Sequence, residues 1–223
     1  MTEVPRMASG LPLPPALLAL PPLAAAQAPQ PWPDSKAAWR AAAEAVLRAR
    51  PAQVRRAHAL MMAKEITALA LELGARRVGL YSPIGAETET RDLAYSLLAA
   101  GLALAYPRLQ PDGLHMAFAD CAGPDALAAR PRSRLLEPVG PLVPPEELDL
   151  VVVPSMALRP DLRRLGRGGG HFDRYLPLLR PDAVTVGRAA GATIFEWAPV
   201  ESHDVPLRCA CTEAGLFRAA VTP

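Results

Sequence analysis

The chain has 223 residues, 51% hydrophobic and 21% charged, the balance of a globular protein with one sizeable core. A formal net charge of +2 argues against a dedicated nucleic-acid binder, and no uninterrupted apolar run reaches the roughly 18 residues of a membrane-spanning helix. Three cysteines (Cys121, Cys209, Cys211) make neither a disulfide framework nor a paired CxxC metal site, so a reducing, cytoplasmic setting is expected.

Residues 1–33 read as a Pro-rich, disordered extension. Their apolar stretch imitates a secretory segment, but its prolines break any continuous helix. From residue 34 to 223 a single domain is expected. Asp34 or Ser35 can cap a first helix that runs through Ala-rich sequence to about Arg48. Pro51 suits the first turn of a second helix, and Gly74 its stop. "RRVGLYSP" predicts a short strand, "IGAETET" a loop, and residues 89–100 a helix halted by Gly101. "LALAYPRL" and "GLHMAFA" predict two further strands, whereas residues 119–147 lack periodicity and read mainly as loop.

"LDLVVVP" (148–154) is continuously apolar and β-branched, the pattern of a central parallel strand covered on both faces. A helix over residues 169–179 and strands at "DAVTVG" and "LRCACTE" complete the chain. Cys209 and Cys211, two apart in the last strand, would share its buried face. The alternation predicts an α/β fold: a three-layer α/β/α sandwich around a mostly parallel twisted sheet. Ligands bind such sheets at the C-terminal strand ends. Topology therefore brings together three loops: "SPIGAETET", "PSMALRPDLRRLGRGGGHFD" and the stretch around "VESHDVP".

The second loop holds "LRRLGRGGGHFDRYL" (162–176), with four glycines in five residues: Gly166, Gly168, Gly169 and Gly170. It is not a G-x-G-x-x-G motif, because position 171 is His, nor a Walker A loop, because no Lys-Ser or Lys-Thr follows. Bare glycine backbone before a helix start can cradle an anion, and Arg163, Arg164 and Arg167 can add bidentate contacts. A flexible structural turn is the other reading of the same residues. Asp173 and Asp204 could hold Mg2+, although an Asp in a first helical turn is more often a dipole or capping residue. His203 is a candidate catalytic group or plain polar surface. Lys36 and Arg40, four apart, share a helix face that is either solvated or functional.

"DLVVVPSMALRPDLRRLGRGGGHFDRYL" followed by "VESHDVPLRCACTE" resembles the C-terminal signature of the 5-formyltetrahydrofolate cyclo-ligase family. The Lys-x-x-x-Arg of "KAAWR" and the Glu-x-x-Thr of "ETET" resemble upstream features of that family. The resemblance spans about residues 35–217. It implies ATP- and Mg2+-dependent closure of 5-formyltetrahydrofolate to 5,10-methenyltetrahydrofolate, with release of ADP and phosphate. By the same resemblance Lys36, Arg40 and the run Arg164, Leu165, Gly166, Arg167, Gly168, Gly169, Gly170, His171 and Phe172 would bind ATP. Glu87, Arg167 and His171 would bind a reduced formyl-folate, and Asp173 and Asp204 would hold Mg2+. A monomer or weak dimer is expected, with no nucleic-acid or membrane partner.

The chain departs from the family pattern at Ser155, Leu158, Arg159, Leu162, His171, Phe172 and Thr193. The pattern has Gly where Leu162 stands, and paired tyrosines where His171 and Phe172 stand. Several of these departures fall on the substrate side, whereas Lys36, Arg40, the glycines and both aspartates remain. An ATP-dependent paralogue with another small-molecule substrate, or a non-catalytic folate- or nucleotide-binding protein of the same fold, are the alternatives.

Overall fold

The computed structural model describes residues 14–24, 34–129, 135–196, 199, 201 and 204–219. A short helix α1 (Pro15–Leu18) precedes α2 (Lys36–Ala49), whose start is set by Ser35: its hydroxyl accepts the Ala38 N–H at 3.2 Å. Trp39, Ala43 and Leu47, four apart, form the buried stripe of α2. Pro51 is the N-cap of α3 (Ala52–Glu72) rather than its first residue, with an extended ψ of 144°. Gly74 ends the helix in the left-handed region, with φ 63°.

Strand β1 (Arg77–Gly79), helix α4 (Arg91–Ala99) and strands β2 (Ala103–Leu109) and β3 (Met116–Cys121) follow as expected. The stretch 119–147 is less irregular than its sequence suggests. Beyond the end of β3 it carries β4 (Ala128–Ala129), β5 (Leu136–Glu137) and β6 (Leu142–Val143), each too short to impose a period on the sequence. Then come β7 (Leu150–Pro154), the small hairpin of β8 (Ala157–Leu158) and β9 (Arg164–Leu165), α5 (His171–Tyr175), β10 (Val184–Arg188), β11 (Cys209–Thr212) and β12 (Gly215–Phe217). The helix expected over 169–179 is only the five residues of α5 plus a 3-10 turn over Leu176–Leu178. Pro177 lacks the N–H that would bond the Asp173 carbonyl and so cuts the helix short.

The main sheet runs β12-β11-β10-β7-β1-β2-β3-β6. The five strands from β11 to β2 are parallel, and β12, β3 and β6 add antiparallel pairs at the two edges. Helices α3 and α4 cover one face, where Met62, Ile66, Leu93 and Leu97 pack on Val78, Leu104, Val152 and Val186. The other face is covered more thinly, by α5 and by loops that bring Leu158, Leu162, Ile194 and Leu207 onto Phe118, Val151 and Val153. Cys209 and Cys211 are fully buried in the first cluster, and burial pushes the Cys211 thiol up to about 12, so neither serves as a nucleophile. Among the described residues no helix is long and apolar enough to cross a membrane.

Two local results differ from expectation. Residues 14–24 of the supposed disordered extension belong to the fold. Leu17 is buried in the first core cluster and Leu23 in the second, and this segment and Arg218 exchange backbone contacts beyond β12 (Leu23 N–H to Arg218 O 2.9 Å, Arg218 N–H to Pro21 O 2.9 Å). One helical turn, α1, buries Leu17, and the non-helical backbone after it buries Leu23, without a long helix; the remainder of 1–33 lies outside the described residues.

The second result is Leu162, which has a φ of 64° and is wholly buried. The left-handed region costs an L-residue roughly 1–2 kcal/mol. The buried side chain outweighs that. Leu162→Gly should relieve the backbone yet lower stability by about 1–3 kcal/mol, because emptying a leucine site typically costs about 2–5 kcal/mol. A urea titration checks this, and a variant more stable than the parent would mean that strain dominates.

Candidate active site

In the sheet, β1 and β7 are neighbours whose chains leave in opposite directions, β1 toward β2 and β7 toward β10. Such a reversal opens a crevice at the C-terminal strand ends. There the residues after β1 (Tyr81, Ser82, Ile84, Glu87) and after β7 (Met156, then Arg164 through Asp173) line a cavity of about 350 Å³. Lys36 and Arg40 close it from α2, and Glu201 and Asp204 from the loop before β11. Every residue that the family resemblance assigns to ATP, folate or metal, Leu165 included, is in this lining. Arg163 is not: its Nη1 pairs with Asp161 Oδ2 at 3.0 Å. His203 falls outside the described residues.

The rotation of α2 is set by its apolar stripe. Trp39 is buried with Met156, Leu165 and Phe195, its ring 5.2 Å from that of Phe195. With Trp39 docked, Lys36 and Arg40 face the cavity, which rules out a solvated face for them. Arg40 Nε donates to the Gly166 carbonyl at 2.9 Å. Its guanidinium lies so close over Gly168 that a Cβ there would come 3.2 Å from Arg40 Cζ, and Gly168 has a φ of 98°. Only glycine meets both demands.

Charged pairs organise the rest. Lys36 Nζ is 3.1 Å from Asp204 Oδ2 and 3.1 Å from Glu201 Oε1, while the Glu201 N–H donates to Asp204 Oδ2 at 2.7 Å. Arg164, only 6% exposed, donates through Nη2 to Asp173 Oδ1 at 2.8 Å and lies over the Phe172 ring. Burial pulls the Arg164 pKa down against the opposing charges of Asp173 and Asp204. Its Nη1 has no hydrogen-bond partner among the described residues. A buried guanidinium with an unsatisfied donor suits a site that receives anionic oxygens.

Arg167 donates through Nε to Glu87 Oε1 at 2.8 Å and also bonds the Ile84 carbonyl, and Glu87 Oε2 accepts the Ile84 N–H at 2.8 Å. This lattice holds the loop after β1 against the glycine stretch. His171 Nδ1 lies 2.9 Å from the Leu114 carbonyl, which also accepts from Arg174 Nη2 at 2.7 Å. Two acceptors would repel at that separation, so the hydrogen bond requires a proton on Nδ1. His171 thereby ties the glycine loop to the tip of the β2–β3 hairpin.

Sequence reasoning missed the apolar flank of the cavity, Pro107, Leu109, Met116 and Leu135, and the carboxylates of Glu137 and Glu201. Glu201 could have been found as the residue one turn-length before Asp204. Glu137 gave no local signal. A second cavity of about 600 Å³ shares Glu87 and is rich in arginine, but Arg48 and Arg56 there already pair with Glu44 and Asp92.

Asp173 and Asp204 offer hard carboxylate oxygen beside the cations Arg164 and Lys36. Mg2+ takes one or two protein carboxylates together with phosphate and water oxygens, so the residues present fit it.

A crevice at the reversal point of a mostly parallel sheet, with clustered cations facing an apolar flank, is the arrangement of an α/β enzyme acting on a small molecule. The family is more specific. The chain belongs to the 5-formyltetrahydrofolate cyclo-ligase family, whose model matches residues 33–213, and that family comprises ligases acting on a folate. Relatives named 5-formyltetrahydrofolate cyclo-ligase include one from Mycolicibacterium smegmatis, 30% identical over 143 residues (61% of this chain, 73% of the relative). One from Mus musculus is 26% identical over 185 residues (77% and 90%). The structure of a 5,10-methenyltetrahydrofolate synthetase from Aquifex aeolicus superposes with a TM-score of 0.71 at 25% identity, covering 84% of this chain and 94% of that one. A synthetase of the same name from Mycoplasma pneumoniae gives 0.65 at 20% identity, over 79% and 97%, and supports the fold.

Proposed function

We propose that the chain closes 5-formyltetrahydrofolate to 5,10-methenyltetrahydrofolate at the expense of ATP, releasing ADP and phosphate. One observation carries this reading: residues from α2, from the loop after β1, from the glycine stretch and from the loop before β11 converge on one cavity. The chemistry requires that convergence. A formamide oxygen is a poor leaving group until it is phosphorylated. N10 of the folate then attacks the formyl carbon, the carbon–oxygen bond breaks and phosphate departs.

Phosphoryl transfer of this kind depends on positioning and charge neutralisation. Lys36, Arg40, Arg164 and the backbone from Gly166 to Gly170 bind the triphosphate, with Leu165, His171 and Phe172 shaping its enclosure. Glu87, Arg167 and His171 hold the folate near its reacting end. Asp173 and Asp204 would hold Mg2+, which when bound supplies charge to the phosphate oxygens. Until ligand arrives, Arg164 and Lys36 compensate these two carboxylates.

The test is spectrophotometric. Absorbance of the methenyl product should rise with 5-formyltetrahydrofolate only when ATP and Mg2+ are both present. ADP release with no methenyl product would favour a paralogue with another substrate, the reading that His171 and Phe172 would then explain.

A further inference from the structure

The two walls of the cavity come from separate parts of the chain. Leu109 and Met116 of the apolar flank pair across the last rung of β2–β3, whereas Gly168, Gly169 and Gly170 belong to the cationic side. Beyond that rung the hairpin tip is stiff. Asp112 Oδ1 accepts the N–H groups of Leu114 at 2.9 Å and His115 at 3.0 Å, and Gly113 takes the left-handed φ of 70° that the turn requires. A stiff tip moves only with the strands that carry it. Whatever holds the tip therefore sets where Leu109 and Met116 stand.

Arg174 of α5 provides that hold. Its Nε and Nη2 donate to the Leu114 carbonyl at 3.0 and 2.7 Å, and Nη2 also donates to the Gly169 carbonyl at 2.6 Å. One guanidinium thus joins a carbonyl next but one to Met116 with a carbonyl inside the glycine stretch. It reaches back past Gly170, where a Cβ would come 2.8 Å from Arg174 Nη1 and where φ is 65°. The side chain is exposed and does not line the cavity, so its part is not contact with a ligand there. We infer that Arg174 is a positioning residue: it latches the β2–β3 wall to the glycine stretch and fixes the cavity width for a ligand that touches both. Arginine suits the task, because its planar fork spans two carbonyls whereas a lysine ammonium carries its donors on one nitrogen. The effect on catalysis rests on the reaction proposed above; the latch itself does not.

Arg174→Met keeps an unbranched side chain and removes the donors. His171 Nδ1 still reaches the Leu114 carbonyl at 2.9 Å, so the tip loosens rather than detaches. Because position 174 is exposed, Tm should stay within about 3 °C of the parent. KM for 5-formyltetrahydrofolate should rise about 3- to 10-fold, the weight of about one hydrogen bond, with kcat within about threefold. Arg174→Lys should recover less than about half of that loss, at low and high salt alike. Full recovery by lysine, or a defect that vanishes in high salt, would reduce Arg174 to its charge and overturn the latch. An unchanged KM in Arg174→Met would overturn it too. A second readout needs no turnover: hydrogen exchange of the 109–116 amides should be about 3- to 10-fold faster in Arg174→Met, with those of β7 unaltered. If the wild type fails to convert 5-formyltetrahydrofolate, the proposed reaction falls and exchange alone decides. Faster exchange in the hairpin then sustains the latch, and equal exchange removes it.

Discussion

Asp173→Asn is expected to slow methenyl-folate formation by about 100- to 1000-fold, the range seen when one electrostatic contact to a developing charge is removed. The amide has the size of the carboxylate but neither its charge nor its affinity for a hard cation. Asp173 sits at the opening of α5 directly after the glycine loop, and its Oδ1 receives Arg164 Nη2 at 2.8 Å. The substitution therefore acts twice, by weakening the proposed Mg2+ site and by releasing the Arg164 guanidinium proposed to bind the triphosphate. Stability should fall as well, because Arg164 is nearly buried and loses its closest counter-charge. The two effects separate experimentally. A melting curve reports the fold, while initial rates across a Mg2+ titration report the metal, and excess Mg2+ should recover part of the rate. Removal of divalent cations from the wild type by chelation should silence it reversibly. A variant with wild-type rate and unchanged Mg2+ dependence would remove Asp173 from the metal site.

The second large effect lies far from the chemistry. Leu17→Ala should destabilise the protein by about 2–5 kcal/mol, the usual range for a buried leucine that leaves a cavity. At about 2–4 °C per kcal/mol for a chain of this size, Tm should drop by about 5–15 °C. The basis is that Leu17 is fully buried against the core formed by α3, α4 and the sheet. Its neighbour Leu18 is 37% exposed, so Leu18→Ala should stay within about 0.5 kcal/mol of the parent. Below the transition, kcat of Leu17→Ala should match the wild type, since residues 14–24 do not line the cavity. Identical melting of the two variants would show that this segment contributes nothing to the fold.

Much of this molecule is legible in its amino-acid sequence. The cap at Ser35, the continuous apolar run of β7, the stop at Gly74 and the paired burial of Cys209 and Cys211 are local patterns. Each is written in a few adjacent residues whose period or stereochemistry allows one backbone solution. The glycine stretch is likewise visible, and its resemblance to a family pattern supplies partners for it at Lys36, Arg40, Glu87 and Asp204.

Other features depend on which distant surfaces meet. Residues 14–24 look like a solvated Pro-rich arm until the cores formed by segments much later in the chain offer Leu17 and Leu23 somewhere to go. Strand β5 is two residues long, so no periodicity marks it, and Glu137 becomes a cavity residue only because β4 pairs with it beside β2. Leu162 adopts a conformation that its own chemistry disfavours, and the burial that compensates is supplied by other segments. The sequence by itself determined the longer helices and strands, the mostly parallel sheet and most of the cationic and acidic groups, because these follow from short-range sterics and hydrophobic pattern. Only the tertiary structure decided that α2 turns Lys36 and Arg40 inward, that Arg56 of the second cavity pairs with Asp92 of α4, and that a carboxylate stands in the apolar flank. Those outcomes are set by packing between segments far apart in the chain, where no local rule reaches.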